Sequence, residues 1–158
     1  MAIEGGHRVL VFSSFTRVLE HFRYYLEEKD IRSYYISGDT PGAMRVEMAE
    51  RFNQEDRIKV MLISIKAGGT GLNLIGADTV IHLDPWWNFA VEEQATDRAY
   101  RIGQTKPVTV YKLISHDSIE EKVVELQEKK RQASADVVHT SVEGIDSFTA
   151  DDIRYILQ

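Results

Sequence analysis

No cysteine occurs in the 158 residues, which excludes disulfide frameworks and thiolate metal clusters and permits a reducing compartment. Long hydrophobic runs are missing too. The uninterrupted apolar stretches are as short as Val60 to Ile63, and the opening Met1-Ala2-Ile3-Glu4-Gly5-Gly6-His7 carries no apolar signal region. Membrane insertion is therefore not expected, and a cytosolic location is. Basic residues are not in excess: 19 Lys and Arg stand against 25 Asp and Glu, a net charge of −6, which confines any nucleic-acid contact to local patches. The histidines lack metal-ligand spacing, His82 falls inside an apolar run, and no Ser, His and Asp set has a nucleophile context. Neither a metal site nor a hydrolytic triad is expected. Internal repeats and low-complexity tracts are absent as well.

What the chain does contain is an ordinary globular balance, 43% hydrophobic and 28% charged, enough for one core. Short β-branched runs at Arg8 to Phe12, Ser33 to Ile36, Val60 to Ile65, Thr79 to Leu83 and Val108 to Leu113 predict five buried strands. Between them the period becomes helical, at Phe15, Val18, Leu19, Phe22 and Leu26 and again at Met44, Met48 and Phe52. Thr40-Pro41 reads as a helix start with Thr40 as cap. Alternation of this kind implies right-handed crossovers and a mainly parallel sheet, so the fold class is α/β. After the fifth strand, Asp117 to Arg131 predicts an amphipathic helix and Gln132 to Ser147 a linker. Thr149 and Asp152 then form a capping box for a short terminal helix.

Ligands of open α/β sheets bind at the carboxyl ends of the strands. Five polar segments are expected there, Ser13-Ser14, Ser37 to Thr40, Lys66 to Asn73, Asp84 to Asn88 and Ser115 to Asp117. The glycine-rich segment fails both familiar phosphate cradles. Leu74 stands where a dinucleotide loop needs its third glycine, and Ala77-Asp78 stands where a P-loop needs Lys-Ser/Thr. A tight strand-to-helix turn is the plain alternative. A helix from about Phe89 to Ile102 would put Gln94, Arg98 and Arg101 on one stripe, a phosphate clamp of two guanidiniums and an amide. Its alternative is a pair of surface ion pairs to Glu93 or Asp97. The Trp86-Trp87 pair suits packing as well as ligand contact.

Taken together, Val9-Leu10-Val11-Phe12-Ser13-Ser14-Phe15-Thr16, Ile65-Lys66-Ala67-Gly68-Gly69-Thr70-Gly71-Leu72-Asn73-Leu74 and Gln94-Ala95-Thr96-Asp97-Arg98-Ala99-Tyr100-Arg101-Ile102-Gly103-Gln104 resemble helicase motifs IV, V and VI of Swi/Snf-type ATPases. Leu83-Asp84-Pro85-Trp86-Trp87-Asn88 fits that family as well. The resemblance implies a RecA-like second lobe over residues 7–132, with residues 133–158 as linker and terminal helix. It further implies ATP with magnesium as cofactor, the phosphate loop and magnesium carboxylates belonging to an N-terminal RecA-like lobe of the same protein. Arg98 and Arg101 would be arginine fingers, Gln94 would face the phosphates, and Gly71 and Asn73 would approach the nucleotide. Ser13, Gly38, Thr40, Ser64, Lys66 and Trp87 would touch the backbone of double-stranded DNA. Ser37-Gly38-Asp39-Thr40 departs from the family's commoner Asp-Gly-Ser-Thr by its acidic third residue. The location implied is cytoplasmic or nucleoid-associated in a prokaryote and nuclear in a eukaryote. A non-catalytic interaction module retaining the fold is the alternative, and a nucleotide-cofactor oxidoreductase is disfavoured by Leu74.

Overall fold

The computed structural model describes residues 3–67, 71–136 and 149–157. The five apolar runs form β1 (Val9–Ser13), β2 (Ser33–Ile36), β3 (Val60–Ser64), β4 (Thr79–His82) and β5 (Thr109–Lys112), in the order β2-β3-β1-β4-β5. Every pairing is parallel, with Val9 beside both Val60 and Thr79 and Ser13 beside Ser64. All five carboxyl ends therefore share one edge. β1 and β3 are buried at every position, as continuous apolar runs covered on both faces require.

The helices are α1 (Thr16–Glu28), α2 (Gly42–Gln54), α3 (Phe89–Thr96), α4 (Ile119–Asp136) and α5 (Ala150–Leu157). Successive strand residues point to opposite faces, and each face has its own core. Leu10, Phe12, Met61 and Ile63 pack with Phe52 of α2 and Ala95 of α3. Val9, Val11, Val60 and Leu62 pack with Leu19 and Leu26 of α1 on the other side. Complete burial of a side chain such as Phe52 contributes about 1.5–3 kcal/mol. Among the described residues no helix is long and apolar enough to cross a membrane.

Four expectations need correction. β5 is exposed at all four positions; it is an edge strand that pairs only with β4. Thr40 does not cap α2; Pro41 is the N-cap residue, and the Thr40 hydroxyl instead accepts from Ser37 N at 3.0 Å. α4 continues to Asp136, so residues 132–136 are helical rather than linker, while residues 137–147 of the expected linker lie outside the described residues. The glycine-rich segment leads into no helix: residues 71–78 are irregular, and Leu72, Leu74 and Ala77 enter the core directly. Gly68, Gly69 and Thr70 lie outside the described residues. Gly71 does adopt a left-handed φ of 52°, the conformation glycine tolerates best.

The terminal capping box forms as expected. Thr149 N donates to Asp152 at 2.7 Å and Asp152 N donates to Thr149 Oγ1 at 3.2 Å. α5 then docks on α4 through the Lys130–Asp152 ion pair at 2.8 Å and the Tyr155 hydroxyl on Glu125 at 2.7 Å.

Candidate nucleotide and DNA edge

At the carboxyl edge, Asp84 organises the end of β1. Its carboxylate accepts from the Ser13 and Ser14 hydroxyls and from Ser14 N at 2.9 Å. Ser13 is buried in this cluster and Ser64 is buried beside it on β3, so neither side chain faces solvent. Gly38, Lys66 and Trp87 are exposed and Thr40 is half-buried, so the surface part of the expected DNA set comes from three loops. Trp86 lies against Trp87 with ring centroids 5.7 Å apart.

The arginine pair departs from the expected helical stripe. Asn88 caps α3, accepting from Ala90 N at 3.0 Å and Val91 N at 3.3 Å. The helix ends at Thr96 rather than Ile102, because Ala99 N closes a tight turn on Thr96 O and Arg98 O accepts from Leu74 N at 3.0 Å. The Gln104 side-chain amide then donates to Ile75 O at 3.1 Å, Ala77 O at 2.7 Å and Ala99 O at 3.2 Å. Gly103, at φ 107°, makes the reversal that lets it do so. Residues 97–104 thus form a turn stapled to the segment that follows the glycine-rich loop. Asn53 holds the other side of that segment, donating to Asn73 O at 2.9 Å and accepting from Gly76 N at 2.8 Å. A side chain at Gly76 would meet the Asn53 Cα at 2.9 Å.

The turn separates the two arginines. Arg98 is 1% exposed, and its Nε and Nη1 find no acceptor among the described residues. Burial, reinforced by the charge of Arg101, pushes its pKa down. Arg101 is exposed, and its Nη1 donates to Gly71 O at 3.1 Å. Neither arginine forms an ion pair with Glu93 or Asp97, so the surface-pair alternative has no counterpart here. Gln94, Arg98, Lys66, Trp86 and Trp87 help to line one cavity of about 350 Å³. Guanidinium N–H groups, an amide and an ammonium suit phosphate oxygens rather than a divalent cation. A buried guanidinium with two idle donors is the observation that fits this edge to a nucleotide phosphate.

Behind the arginines, the buried Glu92 accepts from Trp86 N at 3.0 Å and pairs with Lys112. His82 stacks on Phe12, its Nε2 lies 3.0 Å from Thr96 Oγ1, and its Nδ1 has no partner. Asp84, Gln104 and Asn53 carry much of the architecture, yet nothing local marks them as doing so. Only their membership of the quoted motifs could have drawn attention to the first two.

Comparison with known proteins shows a match of residues 2–103 to the helicase conserved C-terminal domain. The chain belongs to this family. Its relatives place it among the Swi/Snf-type helicases as their C-terminal RecA-like lobe. It is 40% identical over 157 residues to an uncharacterized ATP-dependent helicase of Mycoplasma pneumoniae, covering 99% of this chain and 15% of that protein. It is 38% identical over 150 residues to Helicase swr1 of Aspergillus fumigatus, covering 95% of this chain and 9% of that protein. Identity to the chromatin-remodeling ATPase INO80 of Candida albicans is 40% over 134 residues, 85% of this chain and 10% of that protein. The crystal structure of the C-terminal part of the Fun30 ATPase domain superposes with a TM-score of 0.75 at 38% identity, over 79% of this chain and 40% of that one. The helicase lobe therefore spans only a small part of each curated relative.

Proposed function

We propose that this lobe is the second half of a DNA-dependent ATPase that translocates along double-stranded DNA, and that Arg98 and Arg101 are its arginine fingers. The buried guanidinium of Arg98 at the carboxyl edge, with Nε and Nη1 unpartnered among the described residues, carries this reading. When ATP is bound, its phosphoryl group and magnesium supply the reacting centre, and both would be held chiefly by an N-terminal lobe. The chain's own part is electrostatic. Arg98 and Arg101 donate N–H bonds to oxygens on which charge spreads during phosphoryl transfer, Gln94 orients toward the same phosphates, and Gly71 and Asn73 border the nucleotide. Gly38, Thr40, Lys66 and Trp87 would grip DNA phosphates without reading bases, so binding is weak, insensitive to sequence and steeply salt-dependent. Closure of the two lobes on ATP and opening after hydrolysis would advance the duplex.

The test is DNA-stimulated ATP turnover by the complete two-lobe protein carrying Arg98→Ala or Arg101→Ala, alongside nucleotide binding. Each substitution should cost on the order of a thousandfold in rate, with ground-state nucleotide affinity largely kept. Turnover within a few-fold of the parent for both variants would remove the fingers. The isolated lobe should hydrolyse ATP no faster than buffer, having no lysine-bearing phosphate loop.

A further inference from the structure

Arg45 lies in the first part of α2, outside every motif discussed so far, and is half-buried. Its guanidinium is spread over two loops. Nε donates to Thr40 O at 2.7 Å, Nη2 donates to Gly38 O at 2.8 Å, and Nη1 reaches across to Ala67 O at 3.2 Å. The first loop is already closed on itself. Ser37 N donates to Thr40 Oγ1, Thr40 N donates to Ser37 O at 3.2 Å, and Asp39 N donates to Ser37 Oγ at 3.3 Å. Arg45 therefore fastens a preformed turn to the segment carrying Lys66.

We infer that Arg45 is a positioning residue for DNA: it fixes the spacing of the Gly38–Thr40 loop and Lys66, so that both meet one phosphate backbone. The inference rests on the proposed DNA reading. Two physical points support it. Carbonyl oxygens repel phosphate, and Arg45 gives three of them a cationic partner, which offsets that repulsion beside Lys66. Lys66 is exposed and makes no ion pair with any described residue, so its place relative to the first loop is set by its backbone, which Arg45 holds one residue away at Ala67. Only a planar fork with several donors makes this bridge. Lysine would keep the charge and lose the geometry.

The experiment measures binding of this chain to a short fluorescein-labelled duplex of mixed sequence, by anisotropy, for Lys66→Ala, Arg45→Lys, Arg45→Met and the Arg45→Lys/Lys66→Ala pair. Loss of one phosphate contact weakens binding about eightfold at roughly 0.1 M salt. Lys66→Ala should show that loss. Arg45→Lys should weaken binding several-fold despite its retained charge, with its thermal midpoint checked against the parent, and Arg45→Met should do the same if it folds. The double variant should lose less than the product of the single losses, because Arg45 acts partly through Lys66. Parental affinity for Arg45→Lys, or losses that multiply, would overturn the positioning role while leaving the DNA reading intact. Parental affinity for Lys66→Ala would overturn the DNA reading, and the inference with it.

Discussion

Replacing Arg98 by Met should stabilise this lobe and, on the proposed reading, abolish ATP turnover by the two-lobe protein. The side chain is 1% exposed, with Nε and Nη1 lacking acceptors and the charge of Arg101 close enough to depress its pKa. A buried donor without a partner costs about 1–3 kcal/mol, and Met fills similar space without one. Two such donors cost about 2–6 kcal/mol, of which imperfect packing of Met in the same space gives back part, so we expect a net gain of about 1–3 kcal/mol. For a chain of this size that corresponds to a rise of roughly 2–12 °C in thermal midpoint. Arg101→Met is the internal comparator. That arginine is exposed and has one bond, to Gly71 O, so its loss should change stability by no more than about 1 kcal/mol. Thermal and urea denaturation of the lobe, paired with turnover of the two-lobe protein, separates the possibilities. A loss of about 1 kcal/mol or more in Arg98→Met would mean that the guanidinium holds the 97–104 turn together, and the argument from idle donors would fail.

Asp84→Ala should cost about 2–4 kcal/mol, since it strips the acceptor from the buried Ser13 hydroxyl and from Ser14; a loss below about 1 kcal/mol in urea denaturation would refute this account of the β1 end. His82 supplies a pH dependence. Burial pushes its pKa below 6.5, Lys112 adds to that, and Glu92 and Asp84 oppose it. The unfolded chain thus takes up the proton first as pH falls. The stability from neutral His82 is fully present above about pH 6.5 and is lost as pH falls through the depressed folded value. His82→Phe, which keeps a ring against Phe12, should flatten the stability difference between about pH 7.5 and about pH 5.5. An unchanged pH profile would show that His82 does not titrate differently on folding.

The strands were legible because their signal is local: β-branched runs such as Val9 to Phe12 and Val60 to Ile63 state both their extent and their burial. The shared carboxyl edge followed from the crossover rule without knowledge of strand order. The end of α3 was not legible. Val91, Ala95, Ala99 and Ile102 keep a helical period and alanine favours helix, so no local feature opposes continuation beyond Thr96. The break is imposed from outside, by Leu74 N on Arg98 O and by the Gln104 amide on three carbonyls. Ile102 ends fully exposed as a result. Ser13 was read as a surface hydroxyl for a similar reason, since its partner Asp84 lies far along the chain.

The same tertiary break changes what the arginine pair can do. On one continuous helix, Arg98 and Arg101 would be equivalent solvated charges, free to pair with Glu93 or Asp97. The turn makes them unequal: one is buried with donors idle, and the other rests on Gly71 O. On the proposed reading, phosphate oxygens satisfy the idle donors only when the lobes close. A ligand shifts a conformational equilibrium by its differential affinity for the two states. Two charge-assisted bonds made only in the closed state, at about 1.5–3 kcal/mol each, would shift the balance toward closure by at least a hundredfold. On the same reading, loss of the γ-phosphate would remove those acceptors, return the cost to the closed state and favour opening. On the proposed reading, the idle Nε and Nη1 donors of Arg98 would be what makes closure depend on the nucleotide.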